Sequence, residues 1–242
     1  MKKNKIICII PARGGSKGLK NKNIRYVDGH PLIAYVIALA IRAKIFDAVL
    51  VSTDNKKIAQ ISKKYGAKVP FLREKKYAQD LTTTEATLQN ALNVYETQNS
   101  VKFDICVYMT ATDIFRQVSD IKKAVNILKK NKNVESVFSV RPTHKNFWYR
   151  NKSAKYERIL KSMKDYSSRQ IKKPIFREDT GIVCASRAYL WRQGRRIGDN
   201  IKIIINKNPI DIDIHDDYDM FLVRKTFEYF KKNNKNFLPQ IY

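Results

Sequence analysis

Ile6-Ile7-Cys8-Ile9-Ile10 runs directly into Pro11-Ala12-Arg13-Gly14-Gly15-Ser16-Lys17-Gly18-Leu19-Lys20-Asn21-Lys22-Asn23-Ile24. Five consecutive apolar residues leave neither face of an extended segment to water, so the run reads as a strand buried on both sides. The loop that follows has the opposite character, with three glycines, a hydroxyl and several cations packed together. Gly14, Gly15 and Gly18 lack the Cβ that would hold a ligand off the main chain. Amide N–H groups can therefore point at an anion while Arg13, Lys17 and Lys22 neutralise its charge. This is phosphate-binding logic, although the loop is neither GxxxxGK followed by Ser or Thr nor GxGxxG. The plain alternative is a mobile turn carrying incidental lysines.

Downstream of the loop, short β-rich apolar runs alternate with longer helical patterns. Pro31 to Arg42 reads as a helix with proline in its first turn, Ala48 to Ser52 as a strand, and Asn55 to Tyr65 as a helix stopped by Gly66. A strand over Val69 to Leu72, a helix over Thr84 to Glu96, a strand over Asp104 to Met109, a helix over Val118 to Lys130 and a strand over Ser136 to Val140 continue the rhythm. Such alternation predicts an α/β fold, a mostly parallel sheet with helices on both faces. From Arg141 to Asn200 the rhythm breaks, with 16 basic and 5 acidic residues and scattered aromatics: Phe147, Trp148, Tyr149, Tyr156, Tyr166 and Phe176. That composition suits an insertion packing against a second subunit, or a basic surface loop region. Ile182 to Ala185 and Lys202 to Ile205 read as returning strands, Asp216 to Lys232 as a closing helix, and Lys231 to Asn236 as a frayed tail.

The chain has 242 residues and a formal charge of +26, a field that favours anionic partners. Lysine outnumbers arginine 33 to 15, and lysine accumulates on solvated surfaces, so most of this charge needs no partner. No aromatic RNA-binding motif accompanies it, which leaves nucleic acid a minor alternative. Cys8, Cys106 and Cys184 sit in or beside apolar runs without CxxC spacing and read as core thiols in a reducing compartment, not as zinc ligands or disulfides. Lys2, Lys3 and Lys5 before Ile6 to Ile10 imitate a signal peptide, but the apolar run is too short and lacks a cleavage pattern. The longest uncharged stretch, Pro31 to Ile41, cannot span a bilayer. A cytoplasmic protein with no membrane partner is expected.

A second signal lies far away in sequence, Ile210-Asp211-Ile212-Asp213-Ile214-His215-Asp216-Asp217. Alternation with isoleucine puts Asp211 and Asp213 on one face of an extended segment, with the other face turned to the core. Two carboxylates on one face need a positive group between them, either a lysine or Mg²⁺ held together with nucleotide phosphate oxygens. Asp216 suits a helix cap, and His215 a surface position. A third signal, Val51-Ser52-Thr53-Asp54, ends a strand at the carboxyl edge of the sheet, where open α/β sheets bind ligands. Asp54 reads there as a site residue or as the cap of the next helix.

Taken together, IPARGGSKG, the KNI that follows it, VSTD, and DIDIHDD near the end resemble the cytidylyltransferases that activate nonulosonic acids. These are the CMP-N-acylneuraminate (CMP-sialic acid) synthetases and relatives acting on legionaminic or pseudaminic acid. The match runs in order along almost the whole chain. It implies a Rossmann-like nucleotidyltransferase α/β domain over 1–140 and 181–242, and an insertion over 141–180 that forms a homodimer. It also implies a reaction in which CTP and an acidic sugar give CMP-sugar and pyrophosphate with Mg²⁺. A cytidylyltransferase for 3-deoxy-octulosonate, and a glycosyltransferase consuming a nucleotide sugar, are the alternatives.

The resemblance assigns Arg13, Ser16 and Lys22 to the CTP phosphates, with Gly14, Gly15 and Lys17 in the same cradle. It assigns Asn23 and Arg73 to the nucleotide, Asp211 and Asp213 to magnesium, and Arg177 to the border of the sugar site. Arg13, Lys22 and Asp213 are the residues expected to carry catalysis. The chain departs from the family where QPTSPLR is usual: it reads Thr110-Ala111-Thr112-Asp113-Ile114-Phe115-Arg116. Thr110 thus stands where the family has a sugar-contacting glutamine, and Asp113 adds a carboxylate. Thr180-Gly181 replaces the usual Asn-Gly. The departures fall on the sugar side and leave the nucleotide chemistry intact.

Overall fold

The strand read first, β1 (Ile6–Pro11), lies between two parallel neighbours in a computed structural model that describes residues 4–164 and 166–241. Lys2 and Lys3 of the signal-peptide imitation, and Asp165 of the basic stretch, lie outside the described residues. After β1 come a small hairpin, β2 (Tyr26–Val27) and β3 (His30–Pro31), then α1 (Leu32–Ala43), β4 (Ala48–Ser52), α2 (Lys56–Lys64), α3 (Thr84–Gln98), β5 (Ile105–Tyr108) and α4 (Val118–Lys130). The second half holds β6 (Ser136–Thr143), a hairpin of β7 (Trp148–Arg150) and β8 (Tyr156–Arg158), then β9 (Ile175–Glu178), β10 (Cys184–Arg187), α5 (Ala188–Arg192), β11 (Ile201–Ile205) and α6 (Asp217–Asn233).

The main sheet runs β11-β6-β10-β5-β1-β4, with β9 on the far half of β6. β4 and β5 are parallel to β1, and β11 is parallel to β6, whereas β10 runs antiparallel to both β5 and β6. The sheet is therefore mostly parallel, with β10 returning at its middle and β9 antiparallel to β6. Side chains of β1 alternate between two cores. Ile6, Cys8 and Ile10 pack with Ile33, Val36 and Ile37 of α1 and Ile121 and Val125 of α4, while Ile7 and Ile9 pack with Leu88 and Leu92 of α3 and Trp191 of α5. Burying an isoleucine on either face is worth about 1.5–3 kcal/mol, which is why this run tolerates no charge. The three cysteines are buried and free, as their apolar settings required.

Two expectations fail. Val69 to Leu72 is not a strand: Lys68 makes one parallel bridge to Leu50, and Pro70, lacking an N–H, cannot extend the ladder. The carboxyl-terminal tail is not frayed. α6 continues to Asn233, a 3₁₀ turn spans Lys235–Phe237, and Phe237, Leu238 and Ile241 pack against the third core cluster. That cluster positions the site. Ile210 and Ile214 are buried with Leu19, Leu32 and Tyr35, so the carboxyl-terminal acidic segment is held against the glycine loop through its isoleucines.

Candidate active site

The loop leaving β1 is tied down by its neighbours at the carboxyl edge of the sheet. Ala12 N–H donates to the Ser52 carbonyl at the end of β4 (2.9 Å), and Gly14 N–H donates to Asp54 Oδ1 (2.9 Å). Asp54 is free for this because it does not cap α2. Asn55 does so, accepting from Lys57 N–H at 2.9 Å and Ile58 N–H at 3.1 Å. Gly14 is required by space, since a Cβ there would lie 2.7 Å from Asn55 Nδ2, whereas a Cβ on Gly15 would meet nothing within 4 Å. The Gly15 backbone therefore faces an open approach. Asn23 Nδ2 donates to the Arg13 carbonyl (3.0 Å) and closes the loop into a ring of fixed shape.

The two remote motifs meet here. Lys22 Nζ donates to the Ile214 carbonyl at 2.7 Å, and Gly18 approaches the His215 backbone so closely that a Cβ would sit 2.7 Å from its carbonyl oxygen. A cleft of about 470 Å³ opens between them, lined by Arg13, Ser16, Lys17, Lys22, Asn23 and Thr110, all of them sequence candidates. Tyr108, Thr84 and His215 also line it. Neither Tyr108 nor Thr84 announced itself, because a tyrosine ending a strand and a threonine opening a helix have the same pattern in any α/β protein. Burial lowers the Lys22 ammonium below its usual range, Asp213 works against that, and Arg13 reinforces it.

Arg73 does not line the cleft; its side chain is 3% exposed, with Nη2 4.0 Å from Asp54 Oδ1. Desolvation pulls its pKa down while Asp54 holds it up, and its Nε and Nη2 find no acceptor among the described residues. A buried guanidinium with orphaned N–H groups is costly unless something supplies acceptors.

The acidic pair is divided. Asp211 accepts from Arg177 Nη2 at 2.7 and 3.0 Å and lies 3.0 Å from Arg141 Nε, so arginines stand where a lysine or metal was expected. Arg177 is correspondingly engaged with Asp211, outside the lining of the cleft. Arg141 also donates to the Asn208 and Ile210 carbonyls (2.8 and 2.6 Å), pinning the acidic segment to β6. No sequence signal pointed to Arg141, because its partners, Asp179 among them, lie 38 or more residues away. Asp213 is different. Its carboxylate is 45% exposed, 3.2 Å from His215 Nε2, and acts electrostatically on Lys22 and Asp113. Among the described residues no three His, Cys, Asp or Glu side chains cluster closely enough to form an all-protein metal cage. Mg²⁺ takes one or two carboxylates together with substrate phosphate oxygens, and the half-exposed Asp213, electrostatically coupled to Lys22, fits that donor set better than Asp211 does. Asp216 caps α6 as expected, in a reciprocal box with Asp219.

At the other end of the cleft, Thr110 is occupied internally. Its hydroxyl donates to Asp113 Oδ2 (2.7 Å), and Arg116 Nη2 donates to the Thr110 and Gly181 carbonyls (2.8 Å each). Asp113 is buried, and desolvation pushes its pKa up to about 6, with Arg116 opposing and Asp213 assisting. Gly181 makes room for it, since a Cβ there would fall 2.2 Å from Asp113 Oδ2.

With this geometry established, the comparisons are direct. The chain spans about half the length of a pseudaminic acid cytidylyltransferase from Campylobacter jejuni, 44% identical over 108 residues that cover 44% of this chain and 47% of that one. It is 31% identical over 227 residues to the CMP-N,N'-diacetyllegionaminic acid synthase of Legionella pneumophila, covering 93% and 97% of the two chains. It is also 30% identical over 221 residues to a post-translational flagellin modification protein B of Campylobacter coli, covering 91% and 94%. A CMP:2-keto-3-deoxy-manno-octonic acid synthetase solved with CTP superposes with a TM-score of 0.68 at 14% identity, over 93% of this chain and 99% of the other, so the two share a fold. The family profile described as cytidylyltransferase matches residues 7–240, and the chain belongs to that family.

Proposed function

We propose that this protein transfers the cytidylyl group of CTP to a nonulosonic acid, giving CMP-sugar and pyrophosphate. The carrying observation is the convergence of Arg13, Ser16, Lys17, Lys22 and Asn23 on one cleft that His215 also lines, with Lys22 bonded to the Ile214 carbonyl. Relatives whose names give pseudaminic and legionaminic acid support the sugar class.

In this reading the loop binds the triphosphate through Gly15, Ser16 and the flanking cations, while Asp54 holds the Gly14 N–H and fixes the loop. A sugar hydroxyl attacks the α-phosphorus in line, the new O–P bond forms as the bond to pyrophosphate breaks, and the hydroxyl proton leaves to solvent. Charge develops on the leaving phosphates, where Arg13 and Lys22 stabilise it. Arg73 takes acceptors from the nucleotide. Asp213 would hold Mg²⁺, which when bound neutralises phosphate oxygens around the reacting phosphorus. The sugar enters beside Thr110, with Arg177 at the border of its site. Two copies associate through the 141–180 region, where Trp148, Tyr149, Tyr156 and Tyr166 are exposed. No helix among the described residues is long and apolar enough to cross a membrane, and buried thiols suit a reducing cytoplasm.

The test is pyrophosphate release from each of the four nucleoside triphosphates, with Mg²⁺ and a panel of sialic, legionaminic, pseudaminic and octulosonic acids. Release confined to CTP with a nonulosonic acid is expected. No release with any acid, or release with octulosonate alone, contradicts the proposal.

A further inference from the structure

Arg13 and Lys17 flank the glycines of the loop, and a single carboxylate joins them. Asp80 gives one oxygen to each, Oδ1 at 2.9 Å from Arg13 Nη1 and Oδ2 at 2.7 Å from Lys17 Nζ. Two oxygens of one anion on two cationic donors is the arrangement a phosphate makes. Both cations also pull the Asp80 carboxyl below its usual range, Lys17 foremost.

The segment carrying Asp80 is built to let go. None of residues 74–82 is buried, and Leu81, next to Asp80, is 96% exposed. Its turn hydrogen bonds are internal, from Tyr77 N–H to Glu74, Ala78 N–H to Lys75 and Thr82 N–H to Gln79. Outside the segment, the Thr87 hydroxyl of α3 donates to the Tyr77 carbonyl at 3.3 Å. Moving the segment therefore exposes little apolar surface. The ion pairs are also solvated, Lys17 being 78% and Asp80 42% exposed, and such pairs are weak enough for a more highly charged anion to displace.

Resting on the triphosphate reading of the cleft, we propose that Asp80 is an internal stand-in for a phosphate group. It occupies Arg13 and Lys17 between turnovers, gives way to the incoming triphosphate, and on returning displaces pyrophosphate. Asp80 is thus an affinity-determining residue for polyphosphate, and it acts against binding.

The sign of one substitution decides this. Asp80→Asn keeps the shape of an exposed side chain and leaves Arg13 and Lys17 in place. Inorganic pyrophosphate is titrated calorimetrically into both proteins at low and high salt, so that the readout does not depend on nucleotide or sugar. On the order of 5–10-fold tighter binding by the variant at low salt is expected, with the gap closing at high salt. Equal or weaker binding by Asp80→Asn overturns the proposal, because Asp80 would then merely brace the two cations. Failure of both proteins to bind pyrophosphate overturns it as well. CTP turnover is measured separately: a wild-type chain that binds pyrophosphate but never consumes CTP refutes the proposed function and leaves the Asp80 result standing.

Discussion

Two arginine–carboxylate networks of similar composition lie in different parts of the molecule. Glu96, at the end of α3, accepts from Arg192 Nε and Nη2 at 2.9 and 2.7 Å, from Lys102 Nζ at 3.1 Å and from Phe103 N–H at 2.8 Å, and Arg192 also donates to the Phe103 carbonyl at 2.7 Å. Its carboxylate is 1% exposed and is held below the usual range because Arg192 and the other donors together outweigh its burial. Around the glycine loop, by contrast, the buried Arg73 has donors with no acceptor among the described residues, and Arg13 and Lys17 of the loop share one solvated carboxylate. The first network is complete and holds α3 to α5. The second is incomplete in a way that a polyanion would complete. Satisfied donors mark the first network as a brace between helices.

Several substitutions would break or sharpen this contrast. Lys22→Ala is expected to lower turnover ~10²–10³-fold, about 2.7–4 kcal/mol of transition-state stabilisation, measured by pyrophosphate release. Losing its bond to the Ile214 carbonyl should move Tm by only about 2–4 °C. Glu96→Ala should do the reverse. Stripping the partner from Arg192 costs about 3 kcal/mol in urea unfolding, while kcat per folded molecule stays within about twofold. A Glu96 variant that folds normally but loses catalysis would erase the distinction between the two networks.

Asp113 tests the boundary between frame and site through pH. Its pKa is raised from 3.8 to about 6, so the folded state binds the proton more tightly than the unfolded state and the ionised form is destabilising. Stability should rise as pH falls through about 6. Asp113→Asn should exceed wild type by on the order of 2–3 kcal/mol above pH 7, an advantage that fades by about pH 4. Unfolding curves across that range provide the check. The smallest effect is expected at Arg73. Arg73→Met removes a buried, poorly paired charge, so Tm should hold or rise, while KM for CTP increases ~10-fold, about 1.4 kcal/mol.

Most of the sheet and its longer helices were legible because buried strands are short, largely uncharged runs and a helix can carry its own stop signal, such as Gly66 at a φ of +91°; β9 and the short α5 were not read, and β10 lies two residues beyond the expected strand. What could not be read was decided by distant partners. Pro70 ended a would-be strand, and Phe237 and Leu238 ordered a tail that looks soluble by composition. In the site, the glycines, Lys22 and the alternating isoleucines of the acidic segment showed what must converge. Local pattern did not show that Arg141 and Arg177 would claim Asp211, or that Asn55 would release Asp54 to hold Gly14. Those outcomes depend on which charges the fold brings within 3 Å of one another.

The central claim is that the amino-terminal loop and the carboxyl-terminal acidic segment grip one triphosphate. A double-mutant cycle on CTP binding in Mg²⁺, using Lys22→Ala, Asp213→Ala and the double variant, tests it most directly. A shared site predicts a coupling energy of about 1–3 kcal/mol, the second substitution costing far less once the first is made. Losses that add to within about 0.5 kcal/mol would contradict it.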